Sequence, residues 1–129
     1  MEKGQDYMKS ILTIAAISGF LAVTIGAFGA HGLKDLLGER LAIYETGNRY
    51  HFYHTFAIYV SAFLYFFYPT KKGFLVAAYL FGIGILFFSG SLYALSISGV
   101  RILGAITPIG GIFFLAGWSI LGYTSSRKE

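Results

Sequence analysis

The sequence predicts an all-α polytopic membrane fold: four transmembrane helices, with a short interfacial amphipathic helix between the first two. Three observations lead there. Residues 10–30, 50–70, 73–100 and 102–126 contain no Asp, Glu, Lys or Arg, and a helix needs about 20 predominantly apolar residues to cross about 30 Å of hydrocarbon. The chain is 56% hydrophobic and only 12% charged, a balance that favours the membrane class before any motif is read. At 129 residues there is room for four spans and short connections, with no separate catalytic domain. The chain therefore reads as a single domain over 1–129 with spans near 11–30, 50–68, 73–95 and 102–123.

Span 1 imitates a signal peptide, with Lys3 and Lys9 ahead of an apolar run. That run exceeds the usual core of about 7–15 residues, so it is expected to be an uncleaved span, with residues 1–7 carrying little structure. Ser18, Ala22, Gly26 and Ala30 recur at every fourth position. Such a ridge of small residues lets helix backbones approach closely where lipid offers no hydrophobic drive for association.

Residues 31–49 form the one substantial polar connection. Leu33, Leu36, Leu37, Leu41 and Tyr44 fall at helical spacing, with Lys34, Asp35, Glu39, Arg40 and Glu45 between them. This predicts the interfacial helix, a break at Gly38, and a second helical segment running into span 2. Span 2 has two faces: Phe52, Phe56, Phe63 and Phe67 share one arc, and His51, His54, Ser61 and Tyr65 lie roughly opposite, with Asn48 and Thr55 at the edge. The Phe stripe belongs in lipid and the polar arc inside the bundle, because intramembrane polar groups need partners. Tyr68-Pro69-Thr70-Lys71-Lys72 then makes a tight turn with aromatic and cationic anchors.

Span 3 carries Ala78, Gly82, Gly90 and Ala94 in a second small-residue register and ends in a polar patch of Ser89, Ser91, Tyr93 and Ser96. Span 4 contains Thr107-Pro108-Ile109-Gly110-Gly111 early in its course. Pro108 cannot donate to the Gly104 carbonyl, so a kink is expected there, with the Thr107 hydroxyl placed to satisfy the freed carbonyl.

The net charge of +4 does not signal nucleic acid, since the basic residues are scattered as flanks that would meet lipid phosphates. With no cysteine, disulfides, thiolate metal sites and a cysteine nucleophile are excluded. The amino end, the 69–73 turn and the carboxyl end carry Lys3, Lys9, Lys71, Lys72, Arg127 and Lys128, against Lys34, Arg40, Arg49 and Arg101 on the other side. That bias favours a cell-membrane protein with both termini in the cytoplasm and the histidines near the outer leaflet.

Chemistry concentrates at His31, Arg49, His51 and His54, with Tyr44, Glu45 and Asn48 beside them. Span 1 ends and span 2 begins on the same side, which puts all three histidines at one membrane level. Glu45 and Arg49, four apart, are spaced for an ion pair. His51 and His54 plus His31 offer three nitrogens to a metal, and His31 with His54 would be the pair for a haem. No carboxylate lies within the spans to complete a metal sphere or to serve a proton-driven carrier. The plainer expectation is that the histidines hydrogen-bond within the bundle and lock span 2 against span 1. No Gly-x-Ser-x-Gly elbow exists, and Ser89-Gly90-Ser91 lacks a recognisable base, so no catalytic residue, metal ligand or cofactor is assigned.

The block Gly26-Ala27-Phe28-Gly29-Ala30-His31-Gly32-Leu33 resembles the opening motif of the family known as domain of unknown function 423, small bacterial membrane proteins that include the eukaryotic transmembrane protein 256. The likeness continues through Tyr44-Glu45-Thr46, Arg49-Tyr50 and Tyr53-His54. It resumes at Phe88-Ser89-Gly90-Ser91-Leu92-Tyr93, then at 104–111 and Gly117-Trp118. It covers nearly the whole chain in order. The resemblance implies a four-helix inner-membrane protein and transfers no activity; His51 lies outside its pattern.

The leading expectation is a non-enzymatic membrane component, structural, partner-binding or lipid- and small-molecule-binding. Its candidate polar network is His31, Glu45, Arg49 and His54, its partners are membrane lipids, and its small-residue faces suit a homo-oligomer. A minimal oligomeric transporter or channel is the alternative, with Ser89, Ser91, Tyr93, Thr107 and Pro108 as polar path or kink. A metal- or haem-dependent membrane enzyme is the third.

Overall fold

A computed structural model describes residues 2–128. Its elements are α1 (Glu2–His31), α2 (Lys34–Leu37), α3 (Leu41–Phe67), α4 (Gly73–Gly84), α5 (Gly90–Ser98) and α6 (Thr107–Ser126). A π-helical turn, Ile85–Ser89, joins α4 to α5, and a 3-10 turn, Arg101–Ala105, precedes α6. Among the described residues there is no strand. The run from Gly73 to Ser98 is one continuous rod, so the fold amounts to four long rods in up-and-down order. The central one is α3, packed against α1 on one side and against α4, the π turn and α5 on another; α6 packs on α4 and the π turn.

Three stretches, Lys3–His31, Gly73–Ser98 and Arg101–Ser126, are long and apolar enough to cross a membrane. The 27 residues of α3 span about 40 Å, but its His, Thr, Ser and Tyr side chains dilute its hydropathy. Those polar groups point inward. His51, His54, Thr55, Ser61 and Tyr65 are buried, whereas Phe56, Phe63 and Phe67 are each more than 60% exposed. The two arcs expected from the sequence are therefore the two faces observed, with the polar one inside and Phe52, unlike the rest of its stripe, half-buried.

The helices meet through small residues. Along α1, Ile11, Ala15 and Ala22 are buried, and Gly26 and Gly29 admit side chains of α3: a Cβ on Gly26 would lie 2.8 Å from Asn48 Oδ1, and one on Gly29 would strike the Tyr44 ring. The ridge ends on Gly29, since Ala30 is exposed. The antiparallel pair α4/α6 interlocks reciprocally. Gly84 receives the Phe114 ring, and Gly117 receives Phe81, whose ring atoms would lie 2.7 Å from an added Cβ. One step along, Gly110 sits against the Phe88 backbone, with Phe88 Cα 2.7 Å from an added Cβ. Gly47 of α3 approaches the other side of this region, 3.1 Å from Leu92 Cβ and 3.4 Å from the Ser89 carbonyl. Two glycines on different helices thus clamp the π turn.

Four sequence expectations change. The chain is helical from Glu2, because the first residues extend α1 along the end of α3; a Cβ on Gly4 would lie 3.4 Å from the Tyr65 hydroxyl. The connecting helix α2 is a single turn, with Leu37 buried and Leu36 75% exposed. The break at Gly38 is present: φ is 55°, left-handed backbone that glycine adopts without steric cost. Pro108 lies in the first turn of α6, where its missing N–H has no helical partner to lose, so it starts a helix instead of kinking one. Finally, the span 3 register is split: Ala78 is buried, but Ala94 is exposed and Gly90 faces open space, because sixteen residues at about 100° each carry Ala94 well round the rod from Ala78.

The rods close at both ends. Lys71 Nζ donates to the Arg127 carbonyl at 2.7 Å, bringing the 68–72 turn to the carboxyl end. At the opposite end Gly99, with φ 74°, caps α5, and the Arg40 guanidinium lies against it, its Cζ 3.3 Å from the position of a Cβ.

Candidate functional site

The buried polar groups form a directional network centred on His51. Asn48 donates its two amide hydrogens to the Ala22 carbonyl (2.9 Å) and to Tyr93 Oη (3.2 Å). Thr55 Oγ1 donates to the His51 carbonyl at 2.8 Å, so its oxygen accepts from Ser18 Oγ at 2.6 Å. Ser18 has then used its one hydrogen, and accepts from His51 Nε2–H at 3.0 Å. That leaves His51 Nδ1 as acceptor for the Tyr93 hydroxyl at 3.0 Å. Only one assignment satisfies every group, with His51 as the neutral Nε2–H tautomer. The Tyr44 hydroxyl adds a bond to the Ile25 carbonyl.

His54 has its own surroundings. The Trp118 indole, which can only donate, gives its N–H to His54 Nε2 at 3.1 Å. His54 Nδ1–H therefore donates to the Tyr50 carbonyl at 2.7 Å, and this ring is the other neutral tautomer. Phe114 stacks on it with centroids 3.5 Å apart and planes within 8°, and Phe81 and Trp118 flank it. Adjacent histidines on one helix face thus tie α3 to different neighbours: His51 to α1 and α5, His54 to α6.

The hydroxyls near the π turn are bonded to neighbours as well. Ser89 donates to the Gly47 carbonyl at 2.7 Å. Ser91 donates to the Phe88 carbonyl at 2.9 Å, so Thr107 donates to Ser91 across a 2.6 Å gap, linking α5 to α6. The Thr107 hydroxyl thus serves Ser91 and not a carbonyl freed by Pro108. Among the described residues, no buried side-chain nitrogen or oxygen lacks a partner, and no three His, Asp or Glu converge as a metal would require.

Of the residues singled out from sequence as a network, His54 is buried while His31, Glu45 and Arg49 are exposed. Arg49 Nη2 donates to Thr46 Oγ1 at 3.2 Å. The structure brings Glu45 and Arg49 together in a groove of about 330 Å³, walled by Gly26, Gly29 and Ala30 of α1 and by Tyr44 and Asn48 of α3. A second groove, of about 450 Å³, opens between α1 and α4 over a floor of α3. It is lined by Ile14, Ile17, Leu21, Ile83 and Leu86, with Ser18, His51 and Tyr93 at its polar end. Sequence reasoning placed Asn48 at the edge of the polar arc but missed Ser18 and Trp118 as hydrogen-bonding residues. Ser18 looked like one more small residue of a packing ridge, and nothing local to Trp118 signals a histidine 64 positions away.

The profile of the family described as "Protein of unknown function (DUF423)" matches residues 25–111, which include both walls of the Glu45–Arg49 groove and the π turn. The chain belongs to this family. Among its relatives, the UPF0382 membrane protein YwdK of Bacillus subtilis is 43% identical over 115 residues, covering 88% of this chain and 94% of the relative. A UPF0382 membrane protein of Haemophilus influenzae is 41% identical over 119 residues, covering 92% and 94%. The UPF0382 inner membrane protein YgdD of Escherichia coli is 37% identical over 121 residues, covering 86% and 85%. No solved structure matches the chain. Family membership and three membrane-capable helices make this a membrane protein.

Proposed function

We propose that this family member is a non-enzymatic component of the bacterial cell membrane: a four-span scaffold that binds lipid on its outer grooves. The observation that carries this reading is the inverted construction of α3. A helix with histidines and hydroxyls buried and phenylalanines exposed is stable where the surroundings are hydrocarbon. The fourth span is therefore α3, α2 lies at the interface, and the six-to-four bias of Lys and Arg puts both termini in the cytoplasm. The name of the Escherichia coli relative, an inner membrane protein, agrees with that location. The internal pairing of Ser89, Ser91, Tyr93 and Thr107 favours a scaffold over a polar transport path.

The chain has no cysteine, so single cysteines report topology cleanly. Asp35→Cys and Ser98→Cys are expected to label from outside the cell, and Lys72→Cys and Lys128→Cys only after permeabilisation. Labelling of Lys72→Cys from outside would remove α3 as a span. Native mass measurement from mild detergent is expected to show retained phospholipid, and a wild-type protein that retains none would refute the lipid-binding reading.

A second reading, a homo-oligomer, has its own support. Gly82 and Gly90 line the α1–α4 groove, and a Cβ on Gly90 would meet nothing within 4 Å, so a small-residue face stays unpacked within one chain. A purely monomeric mass in mild detergent would dismiss it.

A further inference from the structure

The groove that holds Glu45 and Arg49 combines three properties. It is mixed in polarity, it carries one exposed charge of each sign, and it lies at the top of the face that α3 turns to lipid. At about 100° per residue, Glu45 and Arg49 fall on the same side of α3 as Phe52, Phe56, Phe63 and Phe67. The charges are thus continuous with the exposed Phe stripe, at the end where α1 runs out at His31. A molecule reaching both charges from that face has a polar end in the groove and an apolar body along the stripe.

The groove walls fix which polar end fits. Asn48 directs both amide hydrogens inward and holds Oδ1 toward Gly26. The Tyr44 hydroxyl is committed to the Ile25 carbonyl. The groove therefore presents acceptors, the Glu45 carboxylate and Asn48 Oδ1, beside one strong donor, the Arg49 guanidinium. Gly26 and Gly29 let Asn48 and the Tyr44 ring sit close against α1 as the inner wall, and the remaining space of about 330 Å³ is within the range of small-ligand sites.

Building on the lipid-binding reading above, we propose that this groove is a headgroup site for a zwitterionic phospholipid bearing a primary ammonium, phosphatidylethanolamine. Its phosphate takes the guanidinium of Arg49, and its ammonium donates to Glu45 and Asn48. Its acyl chains run down beside Phe56 and Phe63. Charge-assisted contacts of both signs select this headgroup over an anionic glycerol headgroup, which offers Glu45 only neutral hydroxyl donors and adds no positive charge. They also select it over choline, whose methylated nitrogen has no hydrogen to donate.

Titration of the detergent-purified full chain with phosphatidylethanolamine, phosphatidylcholine and phosphatidylglycerol of identical acyl chains, read by native mass spectrometry, tests the proposal. Wild type is expected to bind phosphatidylethanolamine about tenfold more tightly than the other two. Glu45→Gln is expected to abolish the preference over phosphatidylcholine, and Arg49→Gln to weaken all three. Both residues are exposed, so unchanged helicity and melting of the variants are expected alongside. Glu39→Gln and Arg101→Gln, which remove matching charges at the same end outside the groove, are expected to leave the preference intact. Lipid retained without headgroup preference, or with a preference that survives Glu45→Gln and Arg49→Gln, overturns this site while leaving general lipid binding standing. Competition by water-soluble phosphoethanolamine at concentrations equal to those of the lipid overturns the assignment to a lipid.

Discussion

Replacing Gly110 with alanine tests the packing logic most directly. The added methyl would stand 2.7 Å from Phe88 Cα and Cβ and closer still to the Phe88 backbone nitrogen, where carbon atoms rest at about 3.5–4.0 Å. The obstacle is backbone of the π turn, not a side chain that can rotate away, so α6 must shift outward by about 1 Å to restore normal contact. That shift loosens the neighbouring bond between Thr107 and Ser91 and the insertion of Phe114 over Gly84. Overpacking of this kind costs about 1–3 kcal/mol, which outweighs the gain of about 1 kcal/mol from helix propensity in all but the mildest case. The control is Gly122→Ala on the same helix, where an added Cβ meets nothing within 4 Å; it is expected to be neutral or to stabilise. Reversible unfolding in mixed micelles, followed by helicity, gives both values. Equal stability of Gly110→Ala and Gly122→Ala would refute the claim that α6 and the π turn meet backbone to backbone.

Other outcomes follow from the same structure. Trp118→Phe leaves His54 Nε2 without its donor and is expected to cost about 1–3 kcal/mol in the same unfolding assay. A double-mutant cycle of Ser18→Ala and Thr55→Val is expected to show coupling near the membrane range of about 0.6–1.7 kcal/mol, because the two hydroxyls bond directly. Phe63→Arg sets a charge on the exposed side of α3; in hydrocarbon that costs about 2.5–3.5 kcal/mol, so poor insertion is expected, whereas a water-facing α3 would tolerate it.

How much was legible in advance differs by residue. The two faces of α3 were readable because a helix projects its sequence onto fixed directions: Phe56, Phe63 and Phe67 had to share a side, and His51, His54 and Ser61 had to oppose them. The small-residue ridge of α1 was readable for the same reason. The sites of contact were not. Ala30 and Gly29 look interchangeable in a ridge, yet Gly29 is buried against the Tyr44 ring and Ala30 is exposed. Pro108 signals a break in helix geometry, but whether it bends a helix or begins one depends on residues 101–105, which form a 3-10 turn. The π turn left no mark in the periodicity; it is visible only in the structure, where Gly47 and Gly110 lie against it from both sides.

The sequence by itself determined the solvent and the inventory: uncharged lengths sufficient for a bilayer, an inverted α3, and no thiol or intramembrane carboxylate. Tertiary structure decided which polar groups meet. Hydrogen-bond partners such as His54 and Trp118, or Ser18 and His51, are set by the rotation and depth of separate helices. Local sequence fixes neither quantity. They emerge only when the glycine contacts bring the rods together, and that approach also separates the exposed Glu45 and Arg49 from the closed network around His51.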